Sequence, residues 1–237
     1  MDYICHILVL ITIYMVLGVS LNLVAGYAGF LSLAHAAFYG IGAYLAALMA
    51  IHLHAPFLVS LFCVAGVTGI FGGFLALPAL RVRGDYFVIT TFAFQVIVVS
   101  VLANWTSVTG GAMGLAGIPP ARIFDWTLRT NADYLIVAAS LAFALWWLVR
   151  TIVRSPFGRV LKSIREDDAL VALTGKDVRF YKVLVFVIGS SVASVAGVLY
   201  VHYITFIDPS NFTVMESIFI LSIVILGGAG NLWGPLL

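Results

Sequence analysis

The residues with a chemistry to offer are small or polar groups placed where only hydrocarbon is expected. From Tyr3 to Leu80 the chain has no Asp, Glu, Lys or Arg, yet Gly26, Gly29, Ser32 and His35 stand close together there. Glycines that interrupt an apolar helix free backbone N–H and C=O groups. These are tolerated at membrane depth only where they face protein or a water-filled cavity. N–H groups at the start of a half-helix attract a carboxylate. A second run, Gly227-Gly228-Ala229-Gly230 leading into Leu232-Trp233-Gly234, repeats the pattern, and both read Gly-x-Ala-Gly-x-Leu. They suggest corresponding points of two halves and a candidate route for a small solute. The competing role, close packing of helices, is somewhat the commoner use of such residues.

Asn22, Thr90, Thr91 and Gln95 are further polar groups in apolar surroundings. Ser32, Thr90, Thr91 and Gln95 join the candidate route with His35. His35 follows Ser32 by three and shares a helix face with it. A buried His usually has a structural hydrogen-bond partner, and that role is favoured, although an ionisable group inside a membrane is a functional candidate by default. Glu216 is read as snorkelling to the outer interface, with contact to an ammonium group as the alternative. No Gly-Lys-Ser/Thr phosphate loop and no His/Cys/Asp cluster with metal spacing occurs. Cys5 and Cys63 lie in apolar stretches and read as small buried residues. The energy for any transport must come from another subunit or an ion gradient.

The elements that position these groups follow from composition. Of 237 residues, 63% are hydrophobic and 9% charged, against roughly 25% charged in a soluble domain. This specifies an all-α, polytopic helical membrane protein, taken as a single transmembrane domain over 1–237. Seven hydrophobic segments are expected, at about 4–24, 29–52, 57–80, 86–103, 133–149, 183–203 and 217–237. Gly29, Ser32, Ala36, Gly40, Ala43 and Ala47 would form a small-residue stripe on the second. The loop from Arg150 to Lys182 carries eight basic residues, and Arg81 and Arg83 precede the fourth segment. These loops are therefore cytoplasmic, while 104–132 and 204–216 face outside. The N-terminus then lies outside, which suggests a further preceding helix. The outer loop 104–132 is rich in turn residues and reads as irregular, and its length favours a docking role.

The segment "RSPFGRVLKSIREDDALVALTGKDVRFYK" differs from the rest. Pro156 and Gly158 end the fifth helix. Val160, Leu161, Ile164, Ala169, Leu170 and Leu173 then recur at helical spacing, and Gly175 caps the end. One short amphipathic helix outside the membrane is expected. A helix lying on anionic lipid would want an unbroken basic face. The exposed Glu166–Asp168 cluster argues instead for a soluble partner.

At this loop the chain resembles the permease subunits of ATP-binding-cassette importers, whose acidic-Ala…Gly signature is matched by Glu166, Asp168, Ala169 and Gly175, beside Arg165. Almost the whole sequence is similar to the branched-chain amino acid permease family of the LivM type. The matching pieces are "LNLVAGYAGFLSLAHAAFYGIGAYLAAL", "LRVRGDYFVITTFAFQ", "NWTSVTGGAMGLAGIPP", the loop above and "FIDPSNFTVMESIFILSIVILGGAGNLWGPLL". Members often carry an acidic residue at Gln95 and a basic one at Val98, so an ion pair there is absent here. They usually continue past "WGPLL", so this chain is expected to be part of a longer permease.

The resemblance implies a transport subunit rather than an enzyme. Its partners would be ATPase subunits that bind ATP and Mg²⁺, a second permease subunit and an extracytoplasmic substrate-binding protein, with no nucleic acid. It would act in the lipid bilayer of the bacterial inner membrane. Arg165, Glu166, Asp168, Ala169 and Gly175 would belong to the helix that couples to the ATPase. The solute would be a branched-chain or related amino acid, with urea, short amides or aromatic acids as alternatives in the same class. An ion-driven secondary transporter would need carboxylates in the spans, and a membrane-embedded enzyme would need clustered reactive groups.

Overall fold

The computed structural model describes residues 2–79, 82, 85–123 and 126–236. Arg81 and Arg83 lie outside the described residues. Helix α1 (Asp2–Leu21) passes without a break into a π-helical turn, Asn22–Tyr27. There follow α2 (His35–His52), α3 (Phe57–Ala79) and α4 (Asp85–Asn104). After the short α5 (Thr106–Thr109) come α6 (Asn131–Arg154), α7 (Pro156–Glu166), α8 (Asp168–Leu173), α9 (Val178–Ile204) and α10 (Val214–Leu226). Among the described residues six helices are long and apolar enough to cross a membrane, and Val214–Leu226 is a shorter apolar one.

Several boundaries differ from the hydropathy reading. The second span starts at His35, not at 29, so Gly29 and Ser32 lie before the helix and off the supposed stripe. The seventh stops at Leu226, where Gly227 begins a turn. The fifth and sixth are longer than expected because helices α6 and α9 carry charged ends, with Arg150, Arg154, Arg179 and Lys182, beyond their apolar stretches. Hydropathy counts apolar residues, and a helix does not stop where they do.

Small residues hold the centre together. A Cβ on Gly42 of α2 would stand 2.6 Å from the Cα of Ser194 on α9. On α3, Gly69 and Gly72 face Ser191 and Ser190 of α9, and the Ser191 hydroxyl donates to the Ala65 carbonyl at 2.8 Å. Without a hydrophobic drive between helices in lipid, such close approach supplies dispersion and interhelical hydrogen bonds.

The loop 104–132 is, in its described residues, more ordered than expected. Strand β1 (Leu115–Ala116) pairs antiparallel with β4 (Phe206–Ile207), and β2 (Arg122–Ile123) with β3 (Trp126–Thr127). The Tyr134 hydroxyl donates to the His202 carbonyl at 2.8 Å, and His6 meets the Tyr203 hydroxyl at 2.6 Å. The start of α1, the end of α9 and loop 104–132 thus share one end of the bundle. α7 and α8 lie at the other.

Candidate functional site

The two glycine-interrupted segments meet. α1 leaves regular geometry at Asn22, whose side chain is 2% exposed. Its Nδ2 donates to the Asn231 carbonyl at 2.8 Å, and its Oδ1 accepts the Gly230 N–H at 2.9 Å. A Cβ on Gly26 would collide with Asn22 and with the backbone nitrogen of Gly230. Gly29 (φ 79) and Gly230 (φ 87) both adopt the left-handed region, where glycine has no steric penalty. After the second break, Gly227 and Gly234 touch backbone to backbone, and Pro235 returns beside Gly18 of α1.

Arg165, on the last turn of α7, lies over this junction. Its Nη1 donates to the Gly26 carbonyl. A Cβ on Gly29 would stand 2.9 Å from Arg165 Cγ, and one on Gly230 2.8 Å from Arg165 Nη1. Helix α7 therefore touches both interrupted segments through one guanidinium.

A second polar centre lies deeper. The Gln95 amide is fully buried. Its Oε1 accepts the Ala37 N–H at 2.6 Å and its Nε2 donates to the Phe212 carbonyl at 2.6 Å. The Ser217 hydroxyl accepts the Ala36 N–H at 2.9 Å, and Thr91 Oγ1 accepts the Leu33 N–H at 3.1 Å. Ser217 and Gln95 thus serve N–H groups in the first turn of α2, where the Ala37 N–H also reaches the Ala34 carbonyl at 3.1 Å, and Thr91 serves the Leu33 N–H just before it. Ser32 accepts from the Ala34 N–H at 3.3 Å, and His35 Nε2 meets Ser20 Oγ at 2.6 Å. Thr91, Gln95, Ser32 and His35 thus brace the start of α2. Thr90 stands apart and bonds its own helix, at the Tyr86 carbonyl. Sequence reasoning missed Ser20, Ser217 and Asn231, which become partners only across sequence separations of 15, 181 and 209 residues.

The segment between α6 and α9 holds two helices where one was expected. Ser155 caps α7, and Asp167 interrupts the run and caps α8, accepting from Ala169 N at 2.9 Å and Leu170 N at 3.2 Å. An Asp in extended geometry satisfies orphan N–H groups of a new helix. Glu166 is exposed, while Asp168 bonds Lys182 at 2.9 Å. Lys182 Nζ also lies 5.0 Å from the Phe30 ring, on the segment between the π-helical turn and α2. α8 buries Val171 and leaves Leu170 and Leu173 exposed at 61% and 83%. Gly175 (φ 78) ends α8 with its N–H on the Ala172 carbonyl and nothing near its would-be Cβ. A groove of about 920 Å³ runs between α7–α8 and Gly29–Leu31.

These elements define a multi-pass helical membrane protein in which the helix pair α7–α8 is joined to two interrupted segments. The profile of the branched-chain amino acid transport system / permease component family matches residues 3–237, and the chain belongs to that family. It is 34% identical over 249 residues to the high-affinity branched-chain amino acid transport system permease protein LivM of Escherichia coli K12, covering 95% of this chain and 58% of that protein. The chain thus spans little more than half the length of that relative. A probable LivM of Methanocaldococcus jannaschii is 28% identical over 71% of the chain and 49% of its own length. The LivH permease of Salmonella typhimurium is 26% identical, over 94% of the chain and 77% of its own length. No solved structure matches.

Proposed function

We propose that this chain is a permease subunit of an ATP-driven importer that moves branched-chain or related amino acids across the inner membrane. An extracytoplasmic binding protein delivers the solute to the outer end, where loop 104–132 meets the end of α9. ATP and Mg²⁺ are bound by partner ATPase subunits, and a second permease subunit completes the pathway. The exposed Glu166, Leu170 and Leu173 give the ATPase an acidic and apolar surface to grip. Motion of α7 then reaches the spans through Arg165.

The observation that carries this reading is the Arg165 contact with Gly26, at the point where Gly26 and Gly230 meet. A helix merely resting on lipid has no need to touch two interrupted spans. Arg165→Ala in the assembled transporter is expected to leave ATPase association and basal hydrolysis in place while ATP-driven uptake drops at least tenfold. Uptake of leucine by this chain alone in liposomes under an ion gradient would overturn the reading.

A further inference from the structure

Glu216 does not sit at the membrane interface. Its Oε1 accepts the Tyr14 hydroxyl at 2.6 Å. Tyr14 lies twelve residues after Asp2, about 18 Å along a span that runs on to Tyr27. The neighbouring Ser217 bonds Gln95, halfway along α4, at 3.3 Å. α10 therefore begins at mid-span, because Pro209–Phe212 carries the chain inward from the outer end, with the Phe212 carbonyl on Gln95.

The carboxylate is only partly buried. Phe219, one turn after it, and Ile11, one turn before Tyr14, are both exposed. The Tyr14 and Phe219 rings meet edge to face at 5.3 Å beside it. Among the described residues no Lys, Arg or His pairs with Glu216, and the one ion pair is Lys182–Asp168. A carboxylate at this depth disfavours contact with acyl chains. The α1–α10 face at mid-span therefore borders water or protein.

We infer that Glu216, with the Tyr14 hydroxyl and the rings of Tyr14 and Phe219, binds the ammonium group of an apolar α-amino substrate in transit. The carboxylate supplies the opposite charge, the rings supply cation–π contact, and Ile11 supplies an apolar wall for the side chain. This rests on the importer reading, and it names the residue that reads the amine.

Two measurements test it. Glu216→Gln keeps the size and the acceptor for Tyr14. In the assembled transporter it is expected to raise the KM for leucine uptake at least tenfold, with basal ATP hydrolysis and assembly unchanged. Tyr14→Phe is expected to have the smaller effect. Equal effects of both variants would mark the pair as a structural pin and overturn the inference, as would unaltered uptake by Glu216→Gln. The second measurement needs no partner: labelling of Glu216 in the purified chain by an apolar carbodiimide. Leucine and isopentylamine are expected to protect it, and 4-methylpentanoate is not. Absent or equal protection overturns the inference. Amine-specific protection in a chain whose complex imports no amino acid would overturn the importer reading alone.

Discussion

Asn22→Ala removes a side chain that bonds the backbone twice at the end of the second glycine break, at Gly230 and Asn231. Two hydrogen bonds go, to Asn231 O and from Gly230 N. Each is worth about 0.5–1.5 kcal/mol net. Gly230 and Asn231 are partly exposed, so water can reach the freed groups and no further burial penalty is added. The 227–236 segment should then undock more easily by about 1–3 kcal/mol, which is roughly a 5- to 150-fold rise in its open population. Leu232 reports the change, since it packs among buried residues and its carbonyl accepts from Trp146 Nε1 at 3.1 Å. A cysteine at Leu232, with Cys5 and Cys63 replaced, should react with a maleimide faster by that factor when closing outpaces labelling. A rate within twofold of the parent would refute the claim that Asn22 clamps the junction.

Gln95→Leu strands the buried Phe212 carbonyl and takes one of two acceptors from the Ala37 N–H, which keeps the Ala34 carbonyl at 3.1 Å. A cost of about 1–3 kcal/mol follows, read as a fall of roughly 2 °C or more in the unfolding midpoint in detergent; an unchanged midpoint would contradict it. Gly29→Leu forces a side chain into φ 79 and against Arg165, so uptake should stop while membrane insertion survives. Normal uptake would remove the junction from the mechanism. Cysteines at the exposed Ser107 and Ser163 should be labelled by an impermeant reagent from opposite sides of the membrane, and labelling of both from one side would contradict the assigned topology.

The glycine breaks were readable because Gly29 and Gly230 punctuate apolar runs with a residue that favours neither helix nor lipid. Their contact was not, since nothing in the chain between Gly26 and Gly230 encodes which breaks meet. The start of α2 was misplaced because "FLSLA" is as apolar as the helix that follows it. The split of α7 from α8 turned on Asp167, one of three consecutive acidic residues, and only its extended geometry shows that it caps rather than continues. Glu216 was read at the start of its segment, whereas its partner Tyr14 stands midway along the first span. Its pairing with Tyr14 spans 202 residues.

The central claim is that α7 and α8 join this permease to an ATPase. Its most direct measurement is copurification of the cognate ATPase subunits with the chain, before and after combined replacement of Glu166, Asp168 and Gly175. The account predicts a stoichiometric complex with ATP-dependent leucine uptake that is lost, together with the ATPase, in the triple variant. A triple variant that folds, retains the ATPase and still transports would contradict it.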